Sequence, residues 1–217
     1  MLDYNLLSAI GGGLETTLLL SAALVGVIAV VGIPIGVLET SQPLVVRLPV
    51  RAMVEFFRGI PTIVTLFFVF FFLPSIGLLV PAFYAVLIGL SLWGSANVAE
   101  ITRGAVSSVD RHQWLAASAL GMSRTRTIMY VVIPIALRRM LPPLVSFTAS
   151  AIQATILASA VGVTEVLTRT NQALASSTFF GTKNYTLPAY ALIMCAFFVM
   201  SFPLTYGARK LEAILAK

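Results

Sequence analysis

The stretch QWLAASALGMSRTRTIMYVVIPIALRR, residues 113–139, is a polar and basic segment inside a very apolar chain. Its alanine-rich first part ends at Gly121, and Asp110 precedes it as a candidate N-cap. Asp and Ser are favoured at helix N-caps, and glycine supplies the left-handed residue that ends many helices. The pattern predicts a short helix over residues 110–121, a glycine corner, and a second helix that starts at Ser123 and reaches Pro134.

This predicted helix needs a surface to lie on. A helix of about ten residues is marginal in water when it is isolated. Two surfaces fit the sequence: a groove in a partner protein, which the small alanines could enter closely, or an anionic membrane surface facing the arginines. The residues alone leave both open.

The composition indicates a membrane protein. The chain has 217 residues, of which 59% are hydrophobic and 10% charged. Soluble domains carry roughly 25% charged residues. The length predicts a single domain over 1–217, and a net charge of +6 is attributed to cytoplasmic loops rather than to nucleic-acid binding. The first residues lack the basic region of a signal peptide, so the first apolar run is predicted to be retained.

The predicted fold class is all-α, with five transmembrane helices, because uncharged stretches near 20 residues recur along the chain. The predicted spans are 16–38, 59–74, 81–99, 140–164 and 184–208, and a basic loop covers 103–139. Twelve of the fourteen lysines and arginines fall on one side of this arrangement. The positive-inside rule therefore predicts an external N-terminus and a cytoplasmic C-terminus.

Several motifs carry a family resemblance. Leu115-Ala116-Ala117, Gly121 and Pro134 match the positions of the EAA loop, and the segment resembles that loop of the permease subunits of ATP-binding-cassette (ABC) importers. Four more stretches, in the right order, are similar to the polar-amino-acid branch: VEFFRGIPTIVTLFF (54–68), AEITRGAVSSVDRHQW (99–114), ALRRMLPPL (136–144) and ASAVGVTEVLTR (158–169).

The resemblance implies a type I importer membrane domain in the bacterial cytoplasmic membrane. It implies a non-catalytic permease that binds no cofactor itself, with ATP and Mg on partner ATPase subunits, of which two are expected. The other implied partners are a second permease copy or a homologous permease, an extracytoplasmic solute-binding protein and membrane lipid. The chain has no G-x-x-x-x-G-K-[ST] phosphate loop, which agrees with a borrowed ATPase. The implied solute is a polar amino acid or a relative such as an ectoine-like compound.

The residues assigned to ATPase coupling follow from the same resemblance. In the family, the short helix of this loop docks in a groove of the ATPase, and Ala116 and Ala117 are expected to face that groove. The family usually has glutamate where this chain has Leu115. The full set of coupling residues is Leu115, Ala116, Ala117, Gly121, Arg124 and Arg126.

Polar residues within the predicted spans are candidates for a translocation path. They are Asn97, Thr148, Gln153, Thr155 and Ser159. Thr148, Thr155 and Ser159 are spaced to share one face of an α-helix. Such residues face protein or water at membrane depth, so hydrogen bonds between helices are the alternative to a path. The charges common in the family's fourth span are missing here, which fits a neutral or zwitterionic solute, or a site held by the partner permease.

Two E-x-x-R-G motifs predict ion pairs at the ends of spans. Glu55 with Arg58, and Glu100 with Arg103, have the i,i+3 spacing that joins side chains on one helix face. Their predicted role is structural. The GIPIG segment, Gly32–Gly36, has the small-xxx-small spacing that permits close helix contact.

Two other functions compete with the importer. An ATP-independent carrier or channel needs no coupling partner. An intramembrane hydrolase or transferase needs a nucleophile with a base or paired acids. The lone histidine, His112, has no such arrangement around it, no G-x-S-x-G motif occurs, and no metal-ligand spacing is present.

Overall fold

The computed structural model describes residues 4–40, 43–179 and 185–215. Within these ranges the chain is helical and contains no strand, so the all-α prediction is confirmed. The α-helices are α1 (Tyr4–Glu39), α2 (Leu44–Gly59), α3 (Thr62–Ser75), α4 (Ala82–Ser107), α5 (Arg111–Ala119), α6 (Arg124–Thr127), α7 (Ile133–Ala154), α8 (Val166–Phe179) and α9 (Thr186–Leu215).

Four helical stretches in the described ranges are long and apolar enough to cross a membrane, or five if α2 and α3 together count as one broken span. Helices lie over all five predicted spans, but several bounds differ. α1 begins at Tyr4 rather than at residue 16, and α4 continues to Ser107 rather than ending at 99. Residue 184, the predicted start of the fifth span, and two of the counted cations, Lys183 and Lys217, lie outside the described residues.

The long helices α1 and α4 form the centre of the fold through glycine contacts. A Cβ atom on Gly32 would lie 2.6 Å from Val98 Cβ, and one on Gly36 would lie 2.5 Å from Thr102 Cβ. The predicted close approach at GIPIG is therefore present, with α4 as the partner helix. Lipid gives little hydrophobic drive for helix association, so van der Waals packing between small residues has a large share in holding such helices together.

The segment before the second span is a helix rather than a loop. α2 and α3 meet at a bend of 104°. The bend follows from Pro61, which cannot donate a backbone hydrogen bond, and from Ile60, whose extended backbone has φ −86° and ψ 137°. α3 alone has 14 residues, about 21 Å, which is short for a bilayer core of about 30 Å.

The second helix of the loop reaches Pro134, as predicted, and continues beyond it. One helical stretch runs from Arg124 to Val161 and absorbs the predicted fourth span. The proline is tolerated because the preceding turn, Ile128–Val132, is a π-helix in which the N–H of Ile133 bonds the carbonyl of Ile128. Such a turn relieves the clash that a proline ring makes with the preceding helical turn. The last turns, Thr155–Val161, form a 3₁₀-helix that ends at Gly162, with φ +79°.

The helix α8 was not predicted, because its sequence lies in the loop expected between the fourth and fifth spans. It starts against α1, where a Cβ on Gly13 would lie 2.5 Å from Val166 Cα. Thr17 Oγ1 accepts a hydrogen bond from Val166 N at 3.2 Å. The carboxylate of Glu165 caps the helix by accepting from the backbone N–H of Leu167 and of Thr168, each at 2.9 Å. We call this contact of α1 with the start of α8 the glycine joint.

Candidate coupling elbow and transport path

The elbow, which we define as residues 110–127, begins with a capped helix and ends its first arm in a left-handed glycine. Asp110 Oδ1 accepts from the backbone N–H of His112 at 2.9 Å. Gly121 has φ +72°. Its N–H donates to Ser118 O at 3.0 Å, and Met122 N donates to Ala117 O at 3.1 Å. This is the Schellman pattern, so the predicted role of Gly121 as the residue after the helix is present.

The second arm of the elbow is the helix that begins at Arg124. This arm contacts the first arm, and its continuation in α7 contacts the end of α4. The Arg124 guanidinium lies over the Trp114 ring, 5.8 Å from its centroid. Arg139 donates to the carbonyl oxygen of Ser108 and to its Oγ, the latter at 3.2 Å. Ser123 stands at the N-cap position, but its side chain makes no capping bond. These contacts join the helical stretch 124–161 to α5 and to the end of α4.

The elbow exposes apolar side chains although it is the most basic loop of the chain. Leu115 is 54% exposed and Leu120 is 81% exposed, and Ala116 and Arg126 are also exposed. These exposed side chains make this face of the elbow a candidate contact surface. Ala117 is only 3% exposed, so the expectation that it faces the partner is wrong: it packs inside the elbow.

The predicted ion pairs form only in part. Glu100 accepts two hydrogen bonds from Arg103, at 2.6 and 2.9 Å, as predicted. Glu55 and Arg58 do not pair with each other. Glu55 lies 3.8 Å from Arg51, one turn earlier, and Arg58 reaches across to Glu100 at 3.6 Å. Because Arg58 ends α2 beside α4, its nearest carboxylate belongs to the neighbouring helix.

The hydroxyl groups of the predicted path bond their own helix. Thr148 Oγ1 donates to Leu144 O at 3.0 Å, Thr155 Oγ1 to Ile152 O at 2.6 Å, and Ser159 Oγ to Ile156 O at 2.8 Å. Ser159 does not share the face of Thr148 and Thr155, because the 3₁₀ turns that begin at Thr155 have three residues per turn. Thr155 is 1% exposed and is therefore removed from the set of path residues.

A different polar stripe follows the exposed face of α7. Ser146, Ser150 and Gln153 are all exposed, at spacings of four and three. This i,i+4,i+7 pattern was visible in the sequence, but only Gln153 was selected from it. Asn97 on α4 is half-buried, and its Nδ2 donates to Trp93 O at 2.9 Å. Polar side chains exposed on a membrane helix face water or another protein, so the stripe is the stronger candidate for a path.

A family profile matches residues 9–213, nearly the whole chain, and its description is "Binding-protein-dependent transport system inner membrane component". The chain belongs to this family. Among relatives of this permease, a probable amino-acid ABC transporter permease protein, YckA of Bacillus subtilis (strain 168), is 39% identical over 71% of this chain and 69% of its own length. The glutamine transport system permease protein GlnP of Escherichia coli (strain K12) is 34% identical over 84% of this chain and 82% of its own length.

Solved structures agree with this family. A crystal structure of an amino acid ABC transporter with histidines matches the permease with a TM-score of 0.83 and 27% identity, over 98% of this chain and 99% of the other. An inward-facing structure of the MetNI methionine ABC transporter matches with a TM-score of 0.77 over 100% of both chains. At 16% identity the second match shows the fold alone.

Family membership decides the general function. The chain is the transmembrane subunit of an ABC importer, and it is not itself an enzyme, because ATP is hydrolysed by the partner ATPase. This finding excludes the intramembrane enzyme and decides against the ATP-independent carrier or channel.

Proposed function

We propose that this permease imports a polar amino acid or a related small zwitterion and that the elbow is its docking element for the ATPase. The observation that carries the docking proposal is the exposed face of α5, with Ala116 and the two exposed leucines beside it. A helix of nine residues is about 13.5 Å long, a length that a single groove can hold. Leu115, where the family has glutamate, would make this contact apolar rather than ionic.

The proposed assembly has two ATPase subunits, which hold ATP and Mg, and two permeases, either two copies of this chain or this chain with a homologous one. An extracytoplasmic binding protein delivers the solute. The N-terminus is outside and the C-terminus is in the cytoplasm. In support of this orientation, the arginine-bearing ends of α2 and α4 lie at the elbow end of α1, together with Trp114.

The proposed path runs between the two permeases along the stripe Ser146, Ser150 and Gln153. These side chains offer hydroxyl and amide groups without a full charge, which suits a solute whose own charges balance. Rigid-body motion of the stretch 124–161 would open the path alternately to the two sides when the ATPases close. The solute class is supported by the names of the relatives, several of which are amino-acid or glutamine permeases.

Docking is tested by affinity purification of the chain from its native membrane with Ala116→Trp. We expect recovery of the ATPase to fall at least about tenfold, because an indole cannot enter a closely packed groove without a cost above about 1.4 kcal/mol. The control is Ala175→Trp, also at an exposed alanine but on α8. Equal ATPase recovery for both variants would refute the docking face.

The solute is tested by uptake into vesicles that contain the purified complex and its binding protein. A panel of labelled amino acids is supplied outside, with ATP and Mg inside or absent. We expect ATP-dependent uptake of a neutral or zwitterionic amino acid, and a higher apparent KM for Gln153→Ala. Uptake that proceeds equally without ATP would refute the ATP-driven import cycle.

A further inference from the structure

A cavity that is separate from the polar stripe lies beside the elbow, at the end of α1. It has a volume of about 660 Å³ and is enclosed by the end of α1, the side of α2, the end of α4, α5 and the π-helical turn. One part of its wall is apolar and includes Leu38, Ile128, Val132 and the Trp114 ring. The lining also includes three arginines, Arg47, Arg51 and Arg103.

Three arginines and one carboxylate, that of Glu39, line this cavity, and the Glu39 residue is 3% exposed. Arg103 is held by Glu100, and Arg51 lies 3.8 Å from Glu55 in an exposed pair. Arg47 is exposed and has no ion pair or hydrogen bond within the described part of the chain. The cavity therefore presents one unpaired guanidinium, that of Arg47, to an anion, with the exposed Arg51 one helical turn away and apolar residues in the same lining.

The orientation and the charge pattern of α2 fit a position at the membrane surface. It meets the apolar helix α3 at 104°, so α2 runs nearly across the direction of α3. Its charged residues recur every three or four positions, while Val45, Leu48 and Phe56 are exposed apolar residues. An amphipathic helix with this pattern lies in the plane of the membrane surface, with its arginines at the level of lipid phosphates.

We propose that this cavity binds one anionic phospholipid of the cytoplasmic leaflet. The phosphate would lie between Arg47 and Arg51, and the first part of an acyl chain would lie on the apolar wall. A soluble anion such as inorganic phosphate would leave this wall uncovered, and a protein acid would have to cross the headgroup layer. Basic pockets between membrane helices on this side are suited to anionic headgroups.

The site has a consequence for coupling because its wall is shared with the elbow. Trp114 belongs to α5, and Ile128 and Val132 belong to the turn that connects the elbow to α7. A bound lipid would contact both arms and would favour the arrangement in which the cavity is open. ATP hydrolysis and uptake should then depend on the anionic lipid of the bilayer in a way that needs Arg47 and Arg51.

The test uses the purified complex in bilayers of phosphatidylcholine that contain either brominated phosphatidylglycerol or brominated phosphatidylcholine. Bromine quenches a nearby indole, and the chain has two tryptophans, Trp93 and Trp114. All samples carry Trp93→Phe. The fluorescence of a matched sample that also carries Trp114→Phe is subtracted. The difference is the signal of Trp114, free of the contribution of tryptophans in partner subunits. The variant is R47Q/R51Q. The control, R138Q/R209Q, removes the same charge from exposed arginines outside the cavity.

We expect Trp114 to be quenched more by brominated phosphatidylglycerol than by brominated phosphatidylcholine. In R47Q/R51Q the apparent affinity for phosphatidylglycerol should fall about thirtyfold, equivalent to about 2 kcal/mol, since each arginine near an anionic surface contributes about 1 kcal/mol. The control should keep the preference. Equal quenching by both lipids, an equal loss in the control, or displacement by inorganic phosphate would each overturn the proposal. Recovery of ATPase with R47Q/R51Q verifies that this variant is assembled.

Discussion

The glycine joint and the elbow are both places where a helix starts next to another helix, yet they are built in opposite ways. At the glycine joint, the Glu165 carboxylate is buried and accepts from two backbone N–H groups, and Val166 lies against Gly13. At the elbow, Asp110 is an exposed cap with one such bond, and Leu115 and Leu120 point into solvent. The joint is complete within one chain, whereas the elbow leaves apolar side chains exposed.

The comparison separates a part of the permease whose bonds are satisfied within the chain, the glycine joint, from the part that we propose as the docking surface, the elbow. A buried polar group is costly unless its bonds are satisfied, so the joint tolerates little change. Glu165 lies outside the candidate spans, and burial raises the pKa of its carboxyl, an effect that its bonds with Leu167 and Thr168 oppose. An exposed cap can be lost at lower cost, because water replaces the missing bond.

The largest expected effect comes from filling the glycine joint. Gly13→Leu would put a side chain into the backbone of Val166, which cannot move aside without displacing α8. We expect a loss of about 3 kcal/mol in stability, measured as the temperature at which half of the detergent-purified protein stays monodisperse. The control is Gly26→Leu in the same helix, where a Cβ meets no atom within 4 Å. If both variants are equally stable, the close packing at the joint is wrong.

The two helix caps should differ in the same assay. Glu165→Ala leaves two partly buried N–H groups without an acceptor, so we expect a loss of about 2 kcal/mol. Asp110→Ala removes an exposed cap and should change the stability of the whole chain by about 0.5 kcal/mol, while α5 itself loses helix content. Similar unfolding temperatures for the two variants would remove the distinction between a buried joint and an exposed elbow.

The last prediction concerns the corner of the elbow, where the main expected effect is on coupling rather than on stability. Gly121→Ala forces a left-handed conformation on an L residue, at a cost of about 1 kcal/mol. The unfolding temperature should fall less than in Glu165→Ala, but the ratio of solute imported to ATP hydrolysed should fall, because the angle between the arms changes. Gly104→Ala is the control, since that glycine lies inside α4 with ordinary φ and open space at its Cβ position. The role of the corner is disproved if both variants import with the wild-type ratio.

Much of the elbow could be predicted because it depends on neighbours in sequence. The cap at Asp110, the end of α5 before Gly121 and the pair Glu100–Arg103 each involve residues at most five positions apart. Predictions that needed other elements were less successful. The assignment of Arg58 to Glu55 was wrong because α4 brings Glu100 closer, and Ala117 was placed on the wrong side because the second arm covers it.

By itself the sequence determined that the chain is a bundle of membrane helices with a basic elbow between two of them. It did so because apolar length, charge distribution and local capping are properties of consecutive residues. Only the tertiary structure decided that α2 turns 104° from α3, that one helical stretch passes through Pro134, and that α8 starts on Gly13. The start of α8 joins Val166 to Thr17, 149 positions away, and consecutive residues do not specify such a contact. The bend at Pro61 and the turn before Pro134 are local, but a proline by itself does not decide whether a helix bends, ends or continues.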